Sequence, residues 1–363
     1  MLTKCTEAGK RKCEQYWSDN VNDTFDAGSL VVTLTDLVPY ADYEIKRFSI
    51  KDTSKPDTPP LNVTHYHFLG WPDHGVPKFA TSLIAFIRRV RKSHKKDGPP
   101  MLVHCSAGVG RTGTFILLDS MLERMKAEDT VNVYEFLRNM RAKRVFMVQT
   151  LAQYVFIHDA LEELVTCGET DISAGNLRVK VNKLHKIIPS KAISGFEDQF
   201  KLLDSVSRKA NAAECSDALQ HYNKHKNRYD ERVPYNLSRT RLRPTGVTGA
   251  EYINASFVDG YKLRNAYIAV QAPLQTTVDD FWRMIWEFKS KAIVMLCNFE
   301  ESGQEACYPF WPARQGEPET YGKLLVTLQE EEPGKEYTVR KFEIKDETIP
   351  KHCLLYTSPS PRD

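Results

Sequence analysis

Residues 101–128, MLVHCSAGVGRTGTFILLDSMLERMKAE, carry the pattern that decides the fold. MLVHC (101–105) reads as a short buried strand, TGTFILLDSMLERMKAE (112–128) as a helix, and HCSAGVGRTG (104–113) as the loop between them. Two chemistries compete for such a loop. Gly108, Gly110 and Gly113 spell G-x-G-x-x-G, the dinucleotide fingerprint. That fingerprint also wants a second strand ending in an acid about 20 residues on, and positions 123–144 continue as helix. A Walker-type loop is excluded because no Lys-Ser/Thr pair follows the glycines.

The other reading takes Cys105 and Arg111 together. A Cys ending a strand faces a loop whose N–H groups converge at a helix N-terminus, which is an anion cradle. Those dipoles and Arg111 favour the thiolate of Cys105. The planar Arg111 fork suits two phosphate oxygens, and glycines at 108 and 110 let the backbone bend around the anion. Cys-x5-Arg is then a phosphate ring with a nucleophile at its base, needing only a proton donor for the leaving oxygen.

Working outward, residues 28–50 alternate around a Pro39–Tyr40 turn as a hairpin, and 61–69 (LNVTHYHFL) make another strand. Residues 79–96 and 133–144 show helical spacing. Residues 166–225 are polar and read as linker with leading helices. Beyond Tyr252, YINASFVDGY and NAYIAVQAP read as strands, TTVDDFWRMIWEFKSK (276–291) as a helix, and AIVMLC (292–297) as a strand. The alternation predicts an α/β fold: a twisted mixed sheet flanked by helices, with the Cys-x5-Arg loop between strand and helix.

The chain also repeats itself. Residues 1–52 align without a gap on 295–346, with 17 identities in 52 positions, among them Cys13/Cys307, Trp17/Trp311 and Phe48/Phe342. Chance would supply roughly 3. The offset of 294 exceeds any solenoid unit, so two large copies are expected, each cut by the chain ends. Equivalents of Asp73 and Cys105 would fall at 367 and 399, past residue 363, so the second copy is expected not to catalyse. LLYTSPSPRD (354–363) loses the alternation and reads as a non-native tail.

Composition limits the alternatives. Apolar residues are 41% and charged residues 27% of 363, an ordinary globular balance. A net charge of +3 makes no electrostatic case for nucleic acid or a membrane surface. No apolar run reaches the length of a bilayer-spanning helix, and no signal-peptide core follows Met1. The eight cysteines form no C-x-x-C pair, which favours reduced thiols over a disulfide frame or zinc site. His65-x-His67 has metal-ligand residue types, but alternate strand residues simply face one way. The RRVRK run (88–92) reads as a solvated helix face.

These motifs together resemble the protein tyrosine phosphatases. HCSAGVGRTG is similar to their signature, Trp71-Pro72-Asp73 to their mobile acid loop, and Met147-Val148-Gln149-Thr150 with Gln153 to their glutamine loop. Lys4–Trp17, with Glu7 and Lys12 and ending K-C-x-x-Y-W, resembles another family segment; in the second copy Lys226–Tyr229 and Tyr252–Ser256 resemble the N-terminal motifs. Departures there are Asn236, Glu231, Ala272 and Ala306.

The resemblance implies a division into a C-terminal part of a catalytic domain (1–165), a linker with leading helices (166–220) and an N-terminal part of a pseudo-catalytic domain (221–350). It points to a receptor-type enzyme of the alpha/epsilon group. It implies that Cys105 attacks phosphotyrosine, that Arg111 clamps the phosphoryl oxygens, and that Asp73 protonates the leaving phenol. Gln149 and Gln153 would place the hydrolytic water, Thr112 would ease thiolate departure, and His104 would orient the loop. Ser106, Ala107, Gly108, Val109 and Gly110 would line the phosphate.

No metal or organic cofactor is implied. The expected partners are phosphotyrosine proteins, with contact through the second copy inside the chain or between chains. The expected location is the cytoplasmic part of a single-pass receptor, its membrane segment upstream. The rival reading is a non-catalytic phosphotyrosine-binding or regulatory module.

Overall fold

The computed structural model describes residues 1–94, 98–168, 170–207 and 211–346. The tail expected at 354–363 and part of the helix expected over 79–96 lie outside them. The chain divides into two compact units, Met1–Arg208 with Gly260–Arg264, and Lys209–Asp259 with Asn265–Asp363.

In the first unit a short hairpin, β1 (Thr6–Glu7) and β2 (Lys10–Arg11), precedes a sheet of β3 (Thr24–Ala27), β4 (Leu30–Pro39), β5 (Tyr43–Asp52) and β6 (Leu61–Phe68). The four strands pair in chain order, all antiparallel, with Leu34 opposite Phe48 and a register shift between Leu34 and Asp36. The helices are α1 (Thr81–Ser93), α2 (Gly110–Glu128), α3 (Val133–Lys143) and α4 (Leu151–Cys167). In α1, Leu83, Ile84, Phe86, Ile87 and Val90 recur at helical spacing and are buried, while Arg91 and Lys92 sit in the last turn, where the helix dipole favours cations.

Helix α2 is buried nearly all round, through Thr112, Gly113, Phe115, Leu117, Leu118 and Met121. Burial of each large aliphatic side chain contributes about 1.5–3 kcal/mol, so this helix is the anchor of the unit. Its one deep charge, Asp119, is paired by Arg91 from α1. Helix α4 starts on a capping box, with Thr150 accepting from Gln153 N–H, and packs Phe156, Ile157, Ala160 and Leu161 into the same core. A second cluster, Met1, Trp17, Leu34 and Phe48, lies under the sheet.

Helices α5 (Leu177–Leu184) and α6 (Gly195–Val206), with the short hairpin β7 (Ile187–Ile188) and β8 (Ile193–Ser194), follow. In the second unit, α7 (Ser216–Leu219) leads to a three-stranded antiparallel sheet of β9 (Arg239–Arg241), β10 (Tyr252–Val258) and β11 (Tyr267–Val270), then α8 (Val278–Phe288). A hairpin, β12 (Glu300–Glu301) and β13 (Gln304–Glu305), precedes β14 (Pro318–Tyr321), β15 (Leu324–Pro333) and β16 (Thr338–Asp346). The internal repeat is structural as well. β12–β15 begin and end at the positions of β1–β4 displaced by 294, and the shift at Leu34/Asp36 returns at Leu328/Glu330.

Two expectations need correction. MLVHC and AIVMLC belong to no ladder among the described residues, so the described sheets are antiparallel rather than mixed. Strand identity needs a hydrogen-bonded neighbour as well as an apolar pattern. The first segment has a single such bond, from Leu2 N–H to His104 O at 2.9 Å, while Leu102 is 83% exposed. In the second, Val294 and Leu296 face outward at 79% and 92% exposure.

Candidate active site

The site is built where the segment 101–105 turns into α2. Cys105 is buried, and the Thr112 hydroxyl donates to its Sγ at 3.2 Å. Burial alone would push this thiol up. The Thr112 hydroxyl and the backbone N–H groups of Thr112, Gly108 and Val109 outweigh that cost and hold its pKa below the ordinary thiol value. These donors belong to the first turn of α2 and the loop before it, so the helix start stabilises the anion.

Close packing requires the glycines. Gly108 has φ +69°, a left-handed conformation open to glycine. A Cβ on Gly113 would lie 2.5 Å from Val148 N, and one on Gly110 would lie 2.9 Å from Gln153 Nε2. Ser106 and Ala107 are exposed on the rim, whereas Val109 is half-buried and its carbonyl accepts from Gly113 and Val148 N–H.

Arg111 does not stand open toward the loop. Its Nη1 and Nη2 donate to Glu7 Oε1 at 2.5 Å and Oε2 at 2.8 Å, a bidentate pair. Nη1 also reaches Leu2 O (3.1 Å) and Nη2 reaches Pro72 O (3.3 Å). The guanidinium lies over the buried Trp71 ring, 5.6 Å from its centroid. Burial of Glu7 would raise its carboxyl, but Arg111, Lys4 N–H and Thr3 together hold it below the ordinary carboxylate value. Asp73 comes to the same hairpin: its Oδ2 accepts from Ala8 N–H at 2.9 Å. One turn, Glu7-Ala8, thus holds both the arginine and the acid loop.

His104 bonds Cys105 O through Nδ1 at 3.1 Å, so Nδ1 carries the hydrogen, and Nε2 meets Tyr16 OH at 2.7 Å. Tyr16 OH in turn meets His65 Nε2 at 3.0 Å. Burial lowers the pKa of both histidines, so neutral rings are favoured. Tyr16 then donates to His104 and accepts from His65 Nε2–H, which matches the unpartnered, buried His65 Nδ1. His65 and His67 do face one way, but His67 bonds Thr3 O at 2.8 Å and no metal-holding group of side chains occurs among the described residues.

The glutamines reach the site from the start of α4. Gln153 Oε1 accepts from Gln149 N–H at 2.9 Å, so its amide caps the helix while pressing on Gly110. Gln149 is exposed, and its Oε1 would lie 3.4 Å from a Cβ at Gly110.

Sequence reading assigned no role to two arginines that brace this arrangement. Arg144 donates to Gly108 O (3.0 Å) and Ala107 O (3.1 Å), and Arg141 to Met147 O (2.9 Å) and Val148 O (2.8 Å). No local pattern distinguishes them from other surface arginines of a helix. Glu7 was noted as part of a family segment, but its pairing with Arg111 has no signal in a single sequence.

The loop, acid and glutamine segments thus come together around Cys105, and comparison with known proteins shows the family. The family described as protein-tyrosine phosphatase matches residues 1–163 and again 223–357. The chain belongs to this family of cysteine-dependent hydrolases. It is 44% identical over 347 residues to human receptor-type tyrosine-protein phosphatase F, covering 95% of this chain and 18% of that protein. It is 43% identical to chicken receptor-type tyrosine-protein phosphatase S (95% and 22% covered) and 41% identical to fruit-fly tyrosine-protein phosphatase Lar (95% and 17%). The chain therefore spans about a fifth of the length of these relatives. They are of the F, S and Lar types, so the expected alpha/epsilon grouping has no support among them. No helix among the described residues is long and apolar enough to cross a membrane.

Proposed function

We propose that the chain hydrolyses phosphotyrosine on proteins, with the chemistry in residues 1–165. The Cys105 thiolate attacks phosphorus and the phosphorus–oxygen bond to tyrosine breaks as Asp73 gives the leaving phenol a proton. Arg111 and the N–H groups of residues 106–110 hold the equatorial oxygens. Water placed by Gln149 and Gln153 then attacks phosphorus, Asp73 takes its proton, and the thiolate leaves toward the Thr112 hydroxyl. His104 keeps the loop oriented through Cys105 O. The observation that carries this reading is the convergence of the Thr112 hydroxyl and the N–H groups of Gly108, Val109 and Thr112 on the Cys105 sulfur, which favours its thiolate.

Residues 166–220 would join two phosphatase-like parts, a reading supported by the two family matches at 1–163 and 223–357, and the relatives' receptor-type names support placing them in a receptor. For 221–350 a non-catalytic regulatory role is the better reading, because Glu231, Asn236, Ala272 and Ala306 depart there from the family's motifs.

The test is phosphate release from a phosphotyrosine peptide by the whole chain, with Cys105→Ser and vanadate as controls. Turnover that vanishes with both is expected. Folded protein that binds the peptide without releasing phosphate would favour the binding-module reading instead.

A further inference from the structure

The β12–β13 hairpin closes at its open end on two cysteines. Ala306 and Cys307 both donate their N–H to Phe299 O, at 2.8 and 3.1 Å, which sets Cys307 against the segment entering the hairpin. On that segment Met295 and Cys297 pack on the second unit's core while Val294 and Leu296 face out. Cys297 and Cys307 therefore pack on the same core and their thiols influence one another, while Cys307 Sγ donates to Tyr308 O at 3.4 Å. Cys307 is 1% exposed and Cys297 partly exposed.

The first unit repeats the theme from a different position. Cys13, the counterpart of Cys307, donates its N–H to Cys5 O at 3.3 Å, and both cysteines pack on the Met1, Trp17, Leu34 and Phe48 cluster. Cys297 corresponds to Thr3, two residues before Cys5 in the chain. Two unrelated positions thus bring a second thiol to the neck of the same hairpin.

We infer that Cys297 and Cys307 are a redox-sensitive thiol pair that a peroxide converts to a disulfide. The accessible Cys297 reacts first: its sulfur attacks a peroxide oxygen, the O–O bond breaks, and a sulfenic acid and one water form from hydrogen peroxide. The Cys307 sulfur then attacks the sulfenic sulfur. An S–S bond forms, the S–O bond breaks, and the hydroxide leaves as a second water with the Cys307 proton. Two thiols lose two electrons and the peroxide gains them. Burial, with Cys297 beside it and Arg228 in partial opposition, pushes the Cys307 thiol up to about 12, which suits a resolving partner rather than the first to react.

The test is peroxide treatment of the whole chain, alkylation of remaining thiols, and peptide mass analysis. Both cysteines fall in one tryptic peptide, residues 292–314. Closure appears as an unalkylated peptide about 2 Da lighter than the reduced form. Cleavage after Glu301 should leave two fragments joined until reductant is added. The species is expected in the unmodified sequence and absent from Cys297→Ser with an unchanged circular dichroism spectrum. Full alkylation of both thiols at a dose that oxidises Cys105 would overturn the proposal, as would Cys297 recovered as sulfinic acid or joined to another cysteine.

Discussion

Glu7 and Arg111, 104 residues apart in the chain, meet fork to fork, with both carboxylate oxygens taken by the two terminal nitrogens. Glu7 is 3% exposed, so the pair is shielded from water on the carboxylate side. Removing one partner of a buried pair leaves the other charge uncompensated, typically at a cost of about 3–5 kcal/mol. Glu7→Ala should lower the urea midpoint accordingly with the slope unchanged, and should reduce turnover because Arg111 loses its orientation. An unchanged midpoint would show that the pair holds nothing.

The same pair sets an acid dependence. The folded-state pKa of Glu7 lies below its ordinary value of 4.5. Its contribution is therefore complete above that value and is lost as pH falls through the lowered, folded-state pKa. The stability difference between the unmodified chain and Glu7→Gln should shrink on acidification below about pH 4.5. Equilibrium unfolding at a series of pH values would read it.

Thr112→Val keeps the shape beside Cys105 and removes the hydroxyl 3.2 Å from its sulfur. The backbone donors remain, so the thiol pKa should rise toward, but not reach, the ordinary thiol value. The rate of iodoacetate inactivation against pH reports this directly. A profile unmoved by the substitution would assign the lowering entirely to the backbone N–H groups.

Gly113 and Gly110 predict opposite degrees of tolerance. A Cβ at 113 meets backbone, Val148 N at 2.5 Å, whereas one at 110 meets the flexible end of Gln153. Gly113→Ala should cost about 1–3 kcal/mol as overpacking. Gly110→Ala should cost less stability and instead displace the glutamines, lowering turnover. Thermal unfolding and kcat of the two variants separate these effects.

Arg144→Ala removes the donors to Ala107 O and Gly108 O. The site is exposed, so stability should fall by only about 1 kcal/mol. A loosened phosphate loop should lower kcat/KM by about tenfold, equivalent to about 1.4 kcal/mol. Loss of stability without loss of rate would make Arg144 a helix-end residue and nothing more.

Much of the site was legible because its chemistry is local. Cys105, Gly108, Gly110, Arg111, Thr112 and Gly113 lie in one turn, where residue type and spacing already dictate which backbone donors face one sulfur. The helices over 112–128 and 133–144, the hairpin 28–50 and the internal repeat were likewise readable. Their hydrophobic periods and matched positions are properties of neighbouring residues or of the chain compared with itself.

What only the tertiary structure decided depends on partners far away in the chain. MLVHC and AIVMLC have the composition of buried strands, yet a ladder needs a second backbone that no local pattern supplies. The engagement of Arg111 by Glu7, the Tyr16 bridge from His104 to His65, and the brace from Arg144 join residues 36 to 104 positions apart. Sequence alone picked out the groups proposed to carry the chemistry; long-range contact determined what holds each of them still.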